Sequence, residues 1–397
     1  MIRLYDTRQR KKVDLVPLQP GKLGMYACGV TVYDVCHVGH ARMMVAFDVI
    51  VRHLRASGLE VRFVRNVTDV DDKIIRRGHA EGKDPAEVAR HYTQVMTEDL
   101  AALGIAPPDE EPLATENIGE MHALIERLME QGLAYAAGGD VYYSVPDFPS
   151  YGGLSGQSVD DLRSGARIEV GEHKRSPLDF ALWKGAKPGE PQWESPWGPG
   201  RPGWHIECSA MARRFLGETF DIHGGGNDLI FPHHENENAQ SQGAFGTHTF
   251  ARHWMHSGMV NFAGEKMSKS LGNVVSIRKV AETHDLEALR LLFVSVHYRS
   301  PASFEIARTE TGATTFPDLD EAEARLEYFY RTMERLDGFG AKAADVPRSP
   351  LWAKYTEAMD DDFNTAAAIG HLYDTFVLAN KLLDDPKAMP RPERAAT

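Results

Sequence analysis

The chain has 397 residues, 42% hydrophobic and 25% charged, which is the balance of a folded chain with room for one large and one small domain. Its formal net charge of -13 excludes a protein that coats nucleic acid non-specifically, though not one with a local basic surface. Cys28, Cys36 and Cys208 are too few for a disulfide framework and suit a reducing, cytoplasmic setting, while the lack of an apolar signal core or a long apolar run argues against export and membrane insertion.

Taken in order, residues 8–12 are a short basic run, read as a solvated loop. Residues 26–40 read as a short buried strand, a turn and a helix start. In His37-Val38-Gly39-His40 two histidines three apart share one helical face, and Gly39 between them lets a ring lie close to the backbone. A helix N-terminus also offers free N–H groups and partial positive charge to phosphate. Residues 46–54 continue as an amphipathic helix that Gly58 ends, and residues 61–67 alternate as a strand. Strand, helix, strand predicts a parallel α/β sheet, with ligands beyond the carboxyl ends of the strands, where Cys28 and Thr68 fall.

Residues 85–103 and 120–131 read as helices. Residues 138–202, rich in Gly, Pro, Ser and Trp, read as an irregular insertion between two halves of the sheet domain. A helix opens in residues 201–211, residues 220–226 form a strand running into a Gly-rich loop, and Pro232 sits in the first turn of the next helix. Residues 265–273 are a polar loop. Beyond about residue 310 the recurrence of Leu319, Ala322, Leu326, Phe329, Met333 and Leu336, then of Ile369, Leu372, Tyr373, Phe376 and Leu383, predicts a helical bundle, with residues 385–397 as a frayed tail.

Two constellations carry chemistry. Lys266-Met267-Ser268-Lys269-Ser270 offers two ammonium groups that suit a triphosphate whose charge shifts during reaction. Paired with His37-Val38-Gly39-His40, it is the signature of class I aminoacyl-tRNA synthetases. Separately, two thiolates (Cys28, Cys208), one imidazole (His233) and one carboxylate (Glu237) make a plausible zinc set, although the residue types alone fit buried structural cysteines as well.

Over nearly its whole length the chain resembles the bacterial cysteinyl-tRNA synthetases. The resemblance rests on residues 28–34, 66–73, 203–211, 221–226, 231–237 and 266–270. It implies a Rossmann-like parallel-sheet catalytic domain over residues 1–310, with the insertion at about 110–200 and the lysine loop at 266–270. An all-α helical bundle that binds tRNA would follow over residues 311–397. It implies one zinc per chain on Cys28, Cys208, His233 and Glu237, and a cysteine pocket formed by Gly29, Thr68, Trp204, His223 and Asp228. His37, Gly39, His40, Lys266 and Lys269 would serve ATP, which enters with Mg²⁺. Cys36 matches no family ligand and reads as structural.

The expected reaction is activation of L-cysteine by ATP, then transfer to tRNA(Cys), by a cytoplasmic monomer that uses no membrane. Zinc suits the task because a thiolate binds it far better than the hydroxyl of serine does. Residues 285–290 and 357–365 resemble the start and continuation of the family's helical domain. Because members of the family usually run on into a small anticodon-binding domain, the chain is expected to lack it. That leaves a second reading, a ligase of the same fold that couples cysteine to a small amine, as the mycothiol-pathway ligase does.

Overall fold

The computed structural model describes residues 1–158, 173–262, 265–266, 274–312, 314–337 and 350–385. An N-terminal hairpin, β1 (Arg3–Asp6) and β2 (Lys11–Asp14), leads into β3 (Lys22–Thr31), α1 (Val38–Ala56) and β4 (Glu60–Thr68). Helices α2 (Asp72–Glu81), α3 (Pro85–Ala102) and α4 (Ile118–Glu130) follow, then four short strands, β5 (Ala134–Ala137), β6 (Asp140–Tyr143), β7 (Phe180–Gly185) and β8 (Gly200–Pro202). Next come α5 (Trp204–Leu216), β9 (Phe220–Gly226), α6 (Glu235–Phe245) and β10 (Ala251–Ser257).

Strands β10, β9, β3 and β4 form one parallel sheet in that order. β3 pairs with its sequence neighbour β4 on one side and with the distant β9 on the other, so strand order reverses there. That reversal opens a crevice at the carboxyl ends of the strands. The central strands are apolar because both faces are covered. Side chains alternate between the faces. Met25, Ala27, Ile222 and Met255 join the core beneath α1, while Tyr26, Cys28, Phe220 and Trp254 join the core beneath α4 and α5. The sheet therefore separates the histidine-rich helix start from the cysteine-bearing surface.

The helices expected at residues 40–54, 85–103 and 120–131 and the strands at 61–67 and 220–226 appear within a residue or two of their bounds, but residues 8–12, read as a loop, run into β2, and the helix expected from Pro232 begins at Glu235. The insertion differs most. There β5, β6, β7 and β8 make an antiparallel meander packed into the second core, with Tyr143, Leu182 and Trp183 fully buried. Strands this short leave too few alternations to detect, and Gly185, Gly200 and Pro202, which suggested irregularity, lie within β7 and β8 themselves. Gly200 and Gly203 lie inside the packing: a Cβ on Gly203 would stand 2.0 Å from the Ala181 carbonyl oxygen.

Beyond β10, β11 (Val260–Phe262) pairs with the two-residue β12 (Glu265–Lys266) and with β13 (Ala302–Ser303). Helices α7 (Ile277–Ala281) and α8 (Leu286–Val294) lie between them, and a small hairpin, β14 (Ala307–Arg308) and β15 (Thr314–Thr315), follows. The C-terminal part is helical as expected: α9 (Pro317–Asp337), α10 (Pro350–Asp360) and α11 (Thr365–Asp384). Among the described residues no helix is long and apolar enough to cross a membrane.

The turn between α10 and α11 fastens these helices to the sheet domain through three successive carboxylates. Asp360 meets His53 of α1 at 3.0 Å and Asp361 meets Lys12 of β2 at 2.8 Å. Asp362 is fully buried; the Tyr5 N–H and the Tyr298 hydroxyl donate to its Oδ1 at 2.8 Å each, and Arg299 Nε donates to its Oδ2 at 2.7 Å. Removing that acceptor strands several donors in a dry site, so Asp362→Ala is expected to destabilise the chain by about 3 kcal/mol. Denaturant unfolding checks this; an unchanged midpoint would show that the latch contributes little.

Candidate functional site

Two surfaces converge at the carboxyl end of β3. The first is the start of α1. His37 caps the helix, and its Nδ1 accepts the His40 N–H at 3.3 Å while His40 Nδ1 accepts the His37 N–H at the same distance. The rings stack with centroids 3.6 Å apart, so the pair presents one rigid face. Gly39 lies between them, partly exposed. The segment that follows the lysine loop is hydrogen-bonded to this corner: the Val38 N–H donates to the Val275 carbonyl at 3.0 Å and the Ile277 N–H to the Cys36 carbonyl at 2.9 Å. An open groove beside His37 is lined by Asp34, Ser276, Lys279, Arg308 and Phe316. Lys266 lies in β12, and Lys269 falls outside the described residues. Cys36 is buried beneath this corner, as a structural residue would be.

The second surface is a buried polar cluster on the α5 face of the sheet. It begins at a bulge in β3, where register with β4 shifts between Ala27 and Val30. Bulges re-aim side chains: Cys28 keeps the Tyr26 side and faces α5 and α6, while Val30 beyond the shift joins the core beneath α1. Gly29 makes the bulge possible, since a Cβ there would stand 1.7 Å from the Asn66 carbonyl oxygen. Its N–H also donates to Asn66 Oδ1 at 2.9 Å, so Gly29 acts here on the backbone and not only beside a substrate.

Cys28 Sγ stands 3.7 Å from Cys208 Sγ on α5, 3.5 Å from His233 Nε2 and 3.3 Å from Glu237 Oε1 on α6. His233 Nε2 and Glu237 Oε1 are 3.1 Å apart. Donors around a tetrahedral zinc, with Zn–S near 2.3 Å and Zn–N near 2.0 Å, are separated by about 3.3 Å for two nitrogens or oxygens and about 3.8 Å for two sulfurs, within a few tenths of an ångström of these distances. The spacing therefore fits an ion at the common centre. The tightest group, with donor atoms all within 4.8 Å of one another, is Cys28, His233, His234 and Glu237. Cys208 touches Cys28 but is not part of that group, and His234 is an addition the sequence reading passed over. The adjacent pair His233-His234 was the available signal, yet the i, i+4 spacing to Glu237 drew attention to His233 alone.

The surroundings orient these donors. His223 Nε2 lies 2.8 Å from Glu237 Oε2, which leaves Oε1 to face the cysteines. His205 Nδ1 lies 2.9 Å from His233 Nδ1, which turns His233 Nε2 inward. This is the outer-shell pattern that fixes a ligating imidazole. Burial pushes the Cys28 thiol well above its usual range and raises Cys208. Burial also pulls the Glu237 carboxyl up, but His223 and His233 outweigh it and hold the group below its ordinary value. Burial pushes the His233 imidazole down to about 3. A dry set of two thiols, a carboxylate and neutral imidazoles wants a cation, and a divalent ion would bring both thiols to thiolates.

The expected pocket residues divide. Trp204 stacks on His233 with centroids 4.2 Å apart and keeps part of its ring exposed. Thr68 is buried and donates its hydroxyl to Glu207 Oε2 at 3.1 Å. Burial holds the Glu207 carboxyl well above its usual range. His223 sits inside the cluster, stacked on Trp254. Asp228 lies apart, exposed in the short turn after Gly226.

Residues 14–312 match the profile of the tRNA synthetases class I (C) catalytic domain, and residues 354–396 match the DALR domain. The DALR match overturns the expectation that the C-terminal anticodon-binding domain is lacking, because it covers most of α10 and all of α11. Helical periodicity had placed those helices in a generic bundle, since an amphipathic repeat does not say which helical domain it builds. The cysteine–tRNA ligase of Anaeromyxobacter sp. (strain K) is 53% identical over 100% of this chain and 81% of its own length. That of Pelobacter propionicus is 50% identical over 96% of this chain and 79% of its own. A solved Mycobacterium tuberculosis methionyl-tRNA synthetase in complex with methionyl-adenylate superposes with a TM-score of 0.66 at 16% identity, covering 94% of this chain and 87% of the other. At that identity the likeness speaks to the fold.

The Asn66 carbonyl leaves Gly29 no room for a side chain. Gly29→Ala is expected to shift the bulge, displace Cys28 and cost the chain most of its bound metal. Elemental analysis of the purified variant tests this, and a variant that retains metal at the wild-type level would contradict the geometry.

Proposed function

Because the chain belongs to the cysteine–tRNA ligase family of class I tRNA synthetases, we propose that it activates L-cysteine with ATP and Mg²⁺ on the two surfaces described and transfers it to tRNA(Cys). The cysteine carboxylate attacks the α-phosphorus of ATP, forming cysteinyl-adenylate and releasing pyrophosphate. The terminal ribose hydroxyl of the tRNA then attacks the activated carbonyl and AMP leaves.

The observation that carries this reading is the convergence of Cys28, Cys208, His233 and Glu237 on one buried point beside the His37–His40 corner. These four residues would hold zinc. When bound, the ion would supply a soft Lewis acid that prefers the thiolate of cysteine to the hydroxyl of serine. The protein's own groups supply position and exclusion of water. His223 and His205 hold the ligands in register, and the Trp204 ring covers His233 on its outer face. Thr68 and Asp228 lie at strand ends, where the amino and carboxyl groups of a bound amino acid would project. His37 and His40 would hold the triphosphate at the start of α1, with Gly39 leaving space for the adenine. Lys266 and Lys269 would neutralise charge as pyrophosphate departs.

We assign residues 1–310 to adenylation and residues 311–397 to tRNA. Three buried cysteines without a disulfide suit a reducing cytoplasm.

Two measurements test the reading. Cys208→Ser is expected to lose most of its zinc together with cysteine activation. His40→Ala and Lys269→Ala are each expected to slow cysteine-dependent ATP–pyrophosphate exchange about a hundredfold, the usual scale for one charge contact in a transition state. Exchange at the wild-type rate in both variants would move the nucleotide site elsewhere.

A further inference from the structure

A chain of hydrogen bonds runs from Cys28 to the N-terminal hairpin and has no part in the reading above. Cys28 Sγ lies 3.3 Å from His234 Nε2. His234 Nδ1 lies 2.8 Å from His256 Nε2, and His256 Nδ1 lies 2.7 Å from the Thr7 hydroxyl. His234 and His256 are buried, and Thr7 is pinned to β10 by its own N–H, which donates to the Trp254 carbonyl at 2.9 Å. Gly225 clears the path: a Cβ there would stand 2.8 Å from His234 Cε1.

Each neutral imidazole has one N–H and one lone pair. The direction of the chain is therefore set by its ends. A Cys28 thiolate can only accept, so the facing nitrogen, His234 Nε2, must carry the hydrogen. His234 Nδ1 is then the acceptor and must receive the hydrogen on His256 Nε2. His256 Nδ1 is in turn an acceptor and must receive the Thr7 hydroxyl hydrogen. All four groups are satisfied in this one direction.

We propose that Thr7 and His256 are positioning residues that fix the tautomer of His234, so that His234 Nε2–H donates to the Cys28 thiolate and serves the metal centre as a donor to a ligand, not as a ligand. The inference rests on the reading of Cys28, Cys208, His233 and Glu237 as the zinc ligands. An N–H donor to a metal-bound sulfur withdraws charge from it and holds its lone pairs in place, and outer-shell contacts of this kind are strong determinants of metal retention. A hydroxyl at residue 7 is needed. With a methyl in its place, His256 Nδ1 loses its donor and is left as an unpaired buried acceptor, so only the His234 end still holds the tautomer and the grip on the chain weakens.

The test uses the full chain, zinc-loaded in one arm and reloaded with cobalt(II) in the other. Thr7→Val keeps the shape and removes the hydroxyl; Thr7→Ser keeps the hydroxyl. Thr7→Val is expected to release zinc to a chromogenic chelator roughly tenfold faster than wild type, the lower end for outer-shell losses, and to shift the thiolate-to-cobalt charge-transfer band. Thr7→Ser is expected to match wild type in both. Wild-type behaviour of Thr7→Val overturns the inference, and so does a Thr7→Ser variant as impaired as Thr7→Val, which would point to packing alone. Cys208→Ser separates the two readings. If it loses zinc while Thr7→Val is unchanged, the ligand set stands and the inference falls. If it keeps zinc, His234 takes the fourth ligand position and both readings fall.

Discussion

Everything around the candidate centre answers to one buried carboxylate. Glu237 has no contact with solvent and sits on a helix whose first turns are polar yet buried. A charge in that position requires compensation on each oxygen. One oxygen takes it from His223. The other faces Cys28 and His233, which burial keeps neutral, so among the described residues no cation stands beside it. The polar residues of α6 are then explained as partners in turn: Gln240 donates to the His205 carbonyl and to Ser209 Oγ at 2.9 Å each, and Asn236 accepts from Tyr151. Glu235 accepts the N–H groups of Leu154 and Ser155, at 3.1 and 2.8 Å, which ties the insertion to the turn that carries His233.

The parallel sheet solves a placement problem for such a centre. Alternation along β3 directs Met25 and Ala27 toward α1 and Tyr26 and Cys28 toward α5, and the bulge turns Val30 back to the α1 side. β9 repeats the division, with Gly224 making room for Phe47 of α1 and His223 pointing to the metal-ligand cluster. A phosphate-binding helix start and a thiol-reading cluster can thus both be placed at one end of the sheet, built from opposite faces.

Much of this was legible in the sequence because it is carried by local spacing. Period two in residues 61–67, His37 and His40 on one helical turn, and His233 and Glu237 on another are all short-range signals. What escaped depends on residues far apart in sequence. The meander of β5 to β8 has strands too short to show a period. The backbone role of Gly29 was invisible because only the fold brings the Asn66 carbonyl against it. His234 was overlooked because its partners, His256 and Thr7, come from another strand and from the N-terminal hairpin. The helices at residues 350–384 were read correctly as helices, but the domain that they match was expected to be lacking, since packing periodicity carries no record of a domain's identity.

The three carboxylates at the α10–α11 turn have a mechanical side. Asp360 grips His53, near the last turn of α1, while His37 and His40 form the first turn of the same helix. At 1.5 Å per residue the two points are separated by roughly 20–24 Å of rigid rod. Arg42 holds the rod near its front end, with its guanidinium spread over the carbonyls of Phe293, Val296, His297 and Ser300. A rod clamped near one end and gripped at the other behaves as a lever. A tilt of about 3° about the Arg42 clamp would displace the gripped end, roughly 16 Å away, by roughly 0.9 Å, about a third of a hydrogen-bond length. The C-terminal helices and the stacked histidine pair are therefore geared to each other through a single piece of secondary structure.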